Sequence, residues 1–408
     1  LTLFPRGVRL EPHRDAPLRQ GIQSLPAPQK LLVPLPGCAR AADRTVVPGT
    51  WVPKNAPLSA PQFAAPAFAP AAGKIEEIQT VNHPLLGETP CAVLIPDWDN
   101  PGEEMQPPEH GHREQIIAAA ASAGIVDEFD GQPLYKKLKQ FRRRGVDLLL
   151  ANAIDDDPYV SSAIATLRAC PDQVLLGLEA AAKACGAADC QIAASSRAEV
   201  RLLQRTHATA SCVAVETRYP ARAMLKRKLY REGKKTGFIG VQACAALERT
   251  LRTGLPQTET LVTVTGDAVL NPFNLRVPLG TPLHSLLDFC GTEQAPGACF
   301  IGSSVTGRRV TDLGTPVTAD TRCLIALKKA PVPRGFPCIG CGQCARACPK
   351  SIVPWAVYEE MSREKPDPLR LTNVQHCIAC GACGLACPSE IHLTAAVLRA
   401  AEYKGGGA

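Results

Sequence analysis

Apolar positions in the first hundred residues come in short bursts rather than long periodic runs. Segments 30–35 and 91–95 are compact apolar stretches of strand length. Between them the chain is broken by Pro and Gly, most densely over 51–72. Proline has no amide to give a helix, so the runs left between turns suit only brief strands. A small β-module is expected, closed by a Pro- and Glu-rich linker at 101–108. From residue 112 the pattern changes. Segments 114–123, 161–170 and 173–185 read as helices, and the apolar runs 146–150, 191–194 and 236–241 alternate with them as strands. That alternation predicts an α/β layer on a parallel sheet. A further β-rich unit opens at 258–264 and continues through 275–278, a helix at 282–289, and strands near 300 and at 323–327. A proline-rich hinge at 331–337 leads into the tail. The expected fold class is therefore multidomain α+β, divided at 1–100, 101–254, 255–330 and 331–408.

A chain of 408 residues is too long for one core, which agrees with that division. Its 45% apolar and 20% charged residues are an ordinary balance for a soluble protein. No stretch approaches the ~18 apolar residues a membrane span needs, and no basic-then-apolar leader opens the sequence. The expectation is a cytoplasmic protein without a transmembrane segment, or one docked peripherally on the inner face of the membrane. The net charge of +7 includes basic runs at 136–144 and 226–235. They read either as solvated helix faces or as a docking surface for an acidic redox protein or anionic membrane. Aromatic residues do not interleave with them, so nucleic acid is not an expected partner.

The strongest chemical signal lies in the tail. Cys338, Cys341, Cys344 and Cys348 are followed by Pro349, and Cys377, Cys380, Cys383 and Cys387 by Pro388, with identical spacing. Three thiolates on one tight loop and a fourth just beyond it is the pattern that wraps a cubane cluster, the fourth Cys reaching to the other cluster. Two 4Fe-4S clusters follow, one on Cys338, Cys341, Cys344 and Cys387, the other on Cys377, Cys380, Cys383 and Cys348. Zinc is the alternative, but zinc sites usually pair two Cys-x-x-Cys knuckles or include His. Gly340, Gly342 and Gly381 permit the tight bends between ligands, and Ile339 and Ile378 are expected to shield the clusters from water. The other ten cysteines have no ligand spacing and read as reduced core thiols. His110 and His112 read as exposed linker histidines, with a metal pair the alternative, and His376 either tunes a cluster or is plain loop.

The order of parts resembles the RnfC-like family, which includes the RnfC subunit of the Rnf electron transport complex, the cobalamin reductase PduS and the electron carrier PrdC. The resemblance is carried by Arg6-Gly7-Val8, Leu31 to Leu35, Val47-Pro48-Gly49-Thr50-Trp51-Val52, residues 64–75, Val262 to Gly266, Pro278 to Pro282, Phe300-Ile301-Gly302 and the two cysteine runs. It implies an N-terminal lipoyl-like β-sandwich, a central α/β domain like the flavin-binding domain of complex I, an SLBB (soluble-ligand-binding β-grasp) module and a ferredoxin-like helical domain with two clusters. It also implies where an FMN would contact the chain. The loop that cradles flavin phosphate in the family needs several glycines, yet residues 127–134 hold one glycine and three carboxylates. Asn152, Asp157 and Tyr159 keep the outline of a second flavin contact and mark a degenerate FMN site, or simply a strand-to-helix turn. The third contact, after Tyr219-Pro220, has lost its Gly-Glu, and the fourth has Ala243 where the family has Asn. FMN and NADH are accordingly disfavoured.

The resulting reading is an electron-transfer subunit of an oxidoreductase rather than a stand-alone enzyme, with no catalytic residue of its own. It would relay single electrons through the clusters between redox protein partners, either Rnf membrane subunits or a soluble reductase. Two alternatives stand beside it: an FMN-dependent NADH-oxidising reductase subunit of the Rnf or cobalamin reductase type, and an assembly protein whose clusters are structural.

Overall fold

The computed structural model describes residues 6–405 apart from 39, 63, 208–209, 216–217 and 333, the last within the expected proline hinge. In chain order the strands are β1 (Ile22–Ser24), β2 (Leu31–Pro34), β3 (Trp51–Val52), β4 (Ala72–His83), β5 (Gly87–Asp97), β6 (Leu148–Ala153), β7 (Asp189–Ala194), β8 (Cys212–Ala214), β9 (Thr236–Gly240), β10 (Glu259–Thr265), β11 (Phe273–Pro278), β12 (Ala298–Ile301), β13 (Arg308–Val310) and β14 (Cys323–Leu327). They form three sheets.

The first sheet is antiparallel in the order β2-β5-β4-β3. Its long β4–β5 hairpin pairs Ala72 with Asp97 at one end and His83 with Gly87 at the other, with an irregularity between Ile75 and Glu77. Leu31, Val33, Ile75, Ala92 and Leu94 bury one face over Leu35, Val52 and Leu58. The sequence shows only the apolar centre of β5; β4 is mostly polar beyond Ile75 and declares itself only by pairing.

The second sheet, β8-β7-β6-β9, is parallel throughout. All six residues of β6 are buried, as expected for a central strand with helices on both faces. Leu149, Ala151, Ile192 and Ile239 meet helices Pro171–Cys185 and Val241–Thr253 on one side. Leu148, Leu150 and Ala193 meet helix Ala221–Arg231 on the other. Gly177 lets the first two helices touch, because a Cβ there would lie 1.9 Å from the Cys244 carbonyl oxygen. Helix Arg197–Thr206 and the short β8 extend this unit without having been evident from apolar runs.

The third sheet runs β1-β11-β10-β14-β12-β13, with helix Leu283–Cys290 packed on it. Its edge strand β1 comes from the N-terminal segment and lies parallel to β11. Residues 22–24 thus leave the first β-module and join a sheet more than two hundred residues downstream. The tail is helical, with helices Gln343–Ala347, Pro354–Met361, Ala382–Leu385 and Leu393–Gly405. The N-terminal segment fastens it to the parallel-sheet unit: Val8 bridges to Tyr219, the Gly7 amide donates to the Ala347 carbonyl at 3.2 Å, and Arg6 Nη1 donates to the Cys348 carbonyl at 2.6 Å. Among the described residues no helix is long and apolar enough to cross a membrane.

Candidate functional site

The two cysteine runs fold alike. Gly340 and Ala379, Gly342 and Gly381, and Ser351 and Glu390 occupy matched places in the two halves, and all six have positive φ. Gly342 and Gly381 each sit at the start of the short helix that follows, so the chain reverses and exposes sulfur-facing amides. The Ala379 amide donates to Cys377 Sγ at 3.4 Å. The halves are laced together where Phe336 N–H donates to the Ser389 carbonyl at 2.9 Å and Ser389 Oγ to the Pro337 carbonyl at 2.8 Å.

This pseudo-symmetry crosses the ligands. Cys348, from the first run, lines one small cavity with Cys377, Cys380 and Cys383 from the second; Ile352, Thr394 and Val397 complete the wall. Cys387, from the second run, packs with Cys338 and Cys344 from the first against Trp355, Tyr358, Ile391 and Leu393. Cys383 also reaches that second group, and Cys341 is exposed. Burial pushes the Cys380 thiol up to about 11, aided by the adjacent Cys383, Cys348 and Cys377. Four mutually repelling sulfurs in a half-apolar pocket suit a polynuclear cationic group and little else. Thr394 Oγ1 lies 3.2 Å from Cys383 Sγ. Ile339 is 70% exposed, so it does not provide the shielding expected of it; Ile378 is 43% exposed and lines the cavity.

Beside Cys380 opens a cleft of about 1150 Å³ between the parallel-sheet unit, the six-stranded sheet and the tail. Asn152 and Asp157 line it, whereas Tyr159 does not. Tyr159, at φ +69°, stacks on His13 with ring centroids 5.0 Å apart. Asn152 Oδ1 accepts from the Ile154 amide at 3.3 Å. Asp157 is bound on both oxygens, accepting from Ser303 Oγ at 3.1 Å and Arg322 Nη2 at 2.6 Å. The buried Arg322 guanidinium also lies 4.3 Å from the centre of the Phe129 ring. Its neighbour Asp156 accepts from the Ala221 amide, and burial with the charge of Asp157 raises its carboxyl to about 7. The Asp155-Asp156-Asp157 turn is thus a joint between two sheets. Arg322, far away in sequence, carries no motif that would have identified it.

The basic runs converge on this cleft. Arg144, from helix Leu134–Arg144, and Arg222, Lys226 and Arg227, from helix Ala221–Arg231, line it together with Lys350 from the tail. Burial lowers the Lys226 ammonium, and the nearby charges of Arg144, Lys350, Arg222 and Lys137 lower it further. Lys137, in contrast, is buried and bonds Asp127 at 2.6 Å and Asp130 at 2.8 Å. His376 lines the cleft, while His110 and His112 lie exposed away from it.

Residues 2–99 match the RnfC barrel sandwich hybrid domain, and residues 337–391 match a 4Fe-4S dicluster domain. Over 86% of its length the chain is 29% identical to the RnfC component of the ion-translocating oxidoreductase complex of Vibrio cholerae, covering 49% of that protein. The same component from Pseudomonas aeruginosa is 28% identical over 87% of the chain and 49% of the relative. Its Rhodobacter capsulatus counterpart is 26% identical over 86% of the chain and 73% of the relative. The chain spans about half the length of the first of these curated relatives. A chain of the crystal structure of an NAD+-reducing [NiFe]-hydrogenase in the H2-reduced state superposes with a TM-score of 0.46 at 16% identity, covering 73% of this chain and 62% of that one. The likeness to the RnfC group stated from the sequence is borne out by these relatives and by the N-terminal match.

Proposed function

We propose that the chain is an RnfC-like electron-transfer subunit that passes single electrons through two 4Fe-4S clusters between redox protein partners. The carrying observation is the cavity that unites Cys348 with Cys377, Cys380 and Cys383. Two runs that share their fourth ligands hold their clusters close together, as a relay requires. Such clusters supply one-electron chemistry, and the chain's own residues set burial, hydrogen bonding and access.

The two ligand sets have different surroundings, which gives the relay two ends. The set containing Cys380 borders the cationic cleft, where Arg222, Lys226 and Lys350 suit an acidic partner. The other set contains the exposed Cys341, and Phe336 and Ile339 nearby are large exposed apolar residues. A second partner docking there would cover them. As in the relatives named for an ion-translocating complex, that partner is a membrane-bound subunit, and the chain sits peripherally on the cytoplasmic face. Segments 1–100, 101–254, 255–330 and 331–408 serve as lipoyl-like sandwich, complex I flavin-subunit-like scaffold, SLBB β-grasp and dicluster domain.

The test is anaerobic purification followed by iron analysis, EPR and stepwise reduction. About eight irons per chain and two reducible S = 1/2 signals support the relay. About four irons or fewer, bound zinc, or clusters that resist reduction at every accessible potential would sink it and favour a structural role.

A further inference from the structure

Glycine-poor as it is, the acidic loop at 127–132 lies against the start of helix Val241–Thr253, and between them they hold a nest of backbone amides. Every one of these donors already has an acceptor within the chain. Phe129 N–H donates to Asp127 Oδ1 at 3.0 Å, Gly131 N–H to the Asp127 carbonyl at 2.9 Å, and Gln132 N–H to Asp130 Oδ1 at 3.2 Å. At the helix start, Gly240 N–H donates to Asp127 Oδ2 at 2.9 Å, Gln242 N–H to Glu128 Oε1 at 2.9 Å, and Ala243 N–H to Glu128 Oε2 at 3.1 Å. Glu128 is 2% exposed although it borders the cleft. A Cβ on Gly240 would lie 1.9 Å from its carboxyl oxygen, so the group sits flat against bare backbone. Lys137, the cation nearest the nest, is held by Asp127 and Asp130.

A helix N-terminus of this kind attracts anions, because its first amides lack intrahelical acceptors and its dipole is positive there. We propose that the Glu128 carboxyl group, seconded by Asp127, is a built-in occupant of this nest, and that the cleft consequently rejects flavins that must anchor through a phosphate. An incoming phosphate would have to expel a buried carboxyl group from two amide bonds and then share the site with Asp127. This occupancy holds in either protonation state of Glu128, since both oxygens lie on amide hydrogens. The residues present therefore do not fit FMN, and no step of electron transfer runs through it here. The inference is independent of the relay, because it concerns amides and carboxylates remote in sequence from the cysteines.

The experiment titrates anaerobically purified full chain, its iron content measured on the same sample, with FMN and separately with riboflavin, following quenching of flavin fluorescence. Wild type is expected to quench neither. Glu128→Gly vacates the nest, and FMN should bind at least about tenfold more tightly than to wild type, with no gain for riboflavin, which lacks the phosphate. Stoichiometric FMN binding by wild type overturns the proposal. So does an iron-replete, normally melting Glu128→Gly chain that gains nothing for FMN, or one that gains equally for riboflavin. Should that variant fail to fold, hydrogen exchange on the wild type decides. Gln242 and Ala243 amides that are protected and indifferent to excess inorganic phosphate support the proposal, and amides that exchange fast until phosphate is added overturn it.

Discussion

The Tyr219 hydroxyl donates to the backbone carbonyl of Cys380 at 2.6 Å. This bond joins the wall of the cationic cleft to a loop that holds one ligand set, and the Tyr219 backbone is pinned in turn by Val8, whose amide donates to its carbonyl at 2.8 Å. Tyr219→Phe keeps the ring packing against Ala347 and Ala382 and leaves the carbonyl without its donor. The expected cost is about 1 kcal/mol of stability. In an EPR-monitored redox titration, one of the two cluster signals should shift its midpoint while the other stays. Equal shifts of both, or none, would show that the bond does not tune the Cys380 set.

Crossed ligation makes a prediction that sequential ligation does not. Cys387→Ser should abolish the same EPR signal as Cys344→Ser, and Cys348→Ser the same one as Cys380→Ser, each variant retaining about half the iron. If Cys348→Ser instead matches Cys344→Ser, the halves do not exchange their fourth ligand.

Gly240 and Glu128 should be coupled energetically. Gly240 has φ −71°, so alanine is conformationally acceptable there, and the obstacle is the Glu128 carboxyl group. Gly240→Ala alone should destabilise by about 1–3 kcal/mol through overpacking. In a Glu128→Gly background the same change should be close to neutral, and chemical denaturation of the four proteins closes the cycle. Additive effects would place the carboxyl group elsewhere.

Charge reversal at the cleft should act on association. Lys226→Glu with Lys350→Glu is expected to slow reduction by an acidic one-electron donor protein about tenfold at low salt, with the difference shrinking as ionic strength rises. Iron content should be unchanged. A rate insensitive to both the substitutions and salt would move the donor to another face.

The buried Asp156 carboxyl group, raised to about 7 by desolvation and then by Asp157, binds its proton more tightly in the folded state than in the unfolded chain. Its contribution to stability is therefore full below the ordinary carboxylate range and declines as pH climbs from about 4 to about 7. Asp156→Asn should flatten that decline in anaerobic melting temperatures measured across the interval. A variant whose profile parallels wild type would remove Asp156 as its source.

Residues 146–150, 191–194 and 236–241 were legible as strands because a parallel sheet covered on both faces demands continuous apolar runs, and β6, β7 and β9 fall on them. β4 and β8 were not, since half-exposed or three-residue strands leave no apolar signature. Likewise β1 is too short and too polar to reveal that it leaves its own module for β11.

The cysteine spacing alone determined the chemistry, because ligand geometry is written over a few consecutive residues: three sulfurs on one loop need fixed intervals and glycine-like backbone at Gly340, Gly342 and Gly381. The carboxylates of residues 127–130 were equally visible, but what they bind was not. Glu128 finds its amides at Gln242 and Ala243, and Asp157 finds its cation at Arg322, only when separate sheets are brought face to face. Those contacts join residues more than a hundred positions apart, and a backbone amide is the same group at every position, so the sequence carries no local trace of them. Tertiary packing decided which groups meet, and thereby turned two scattered basic runs into one wall of a cleft and an acidic loop into its plug.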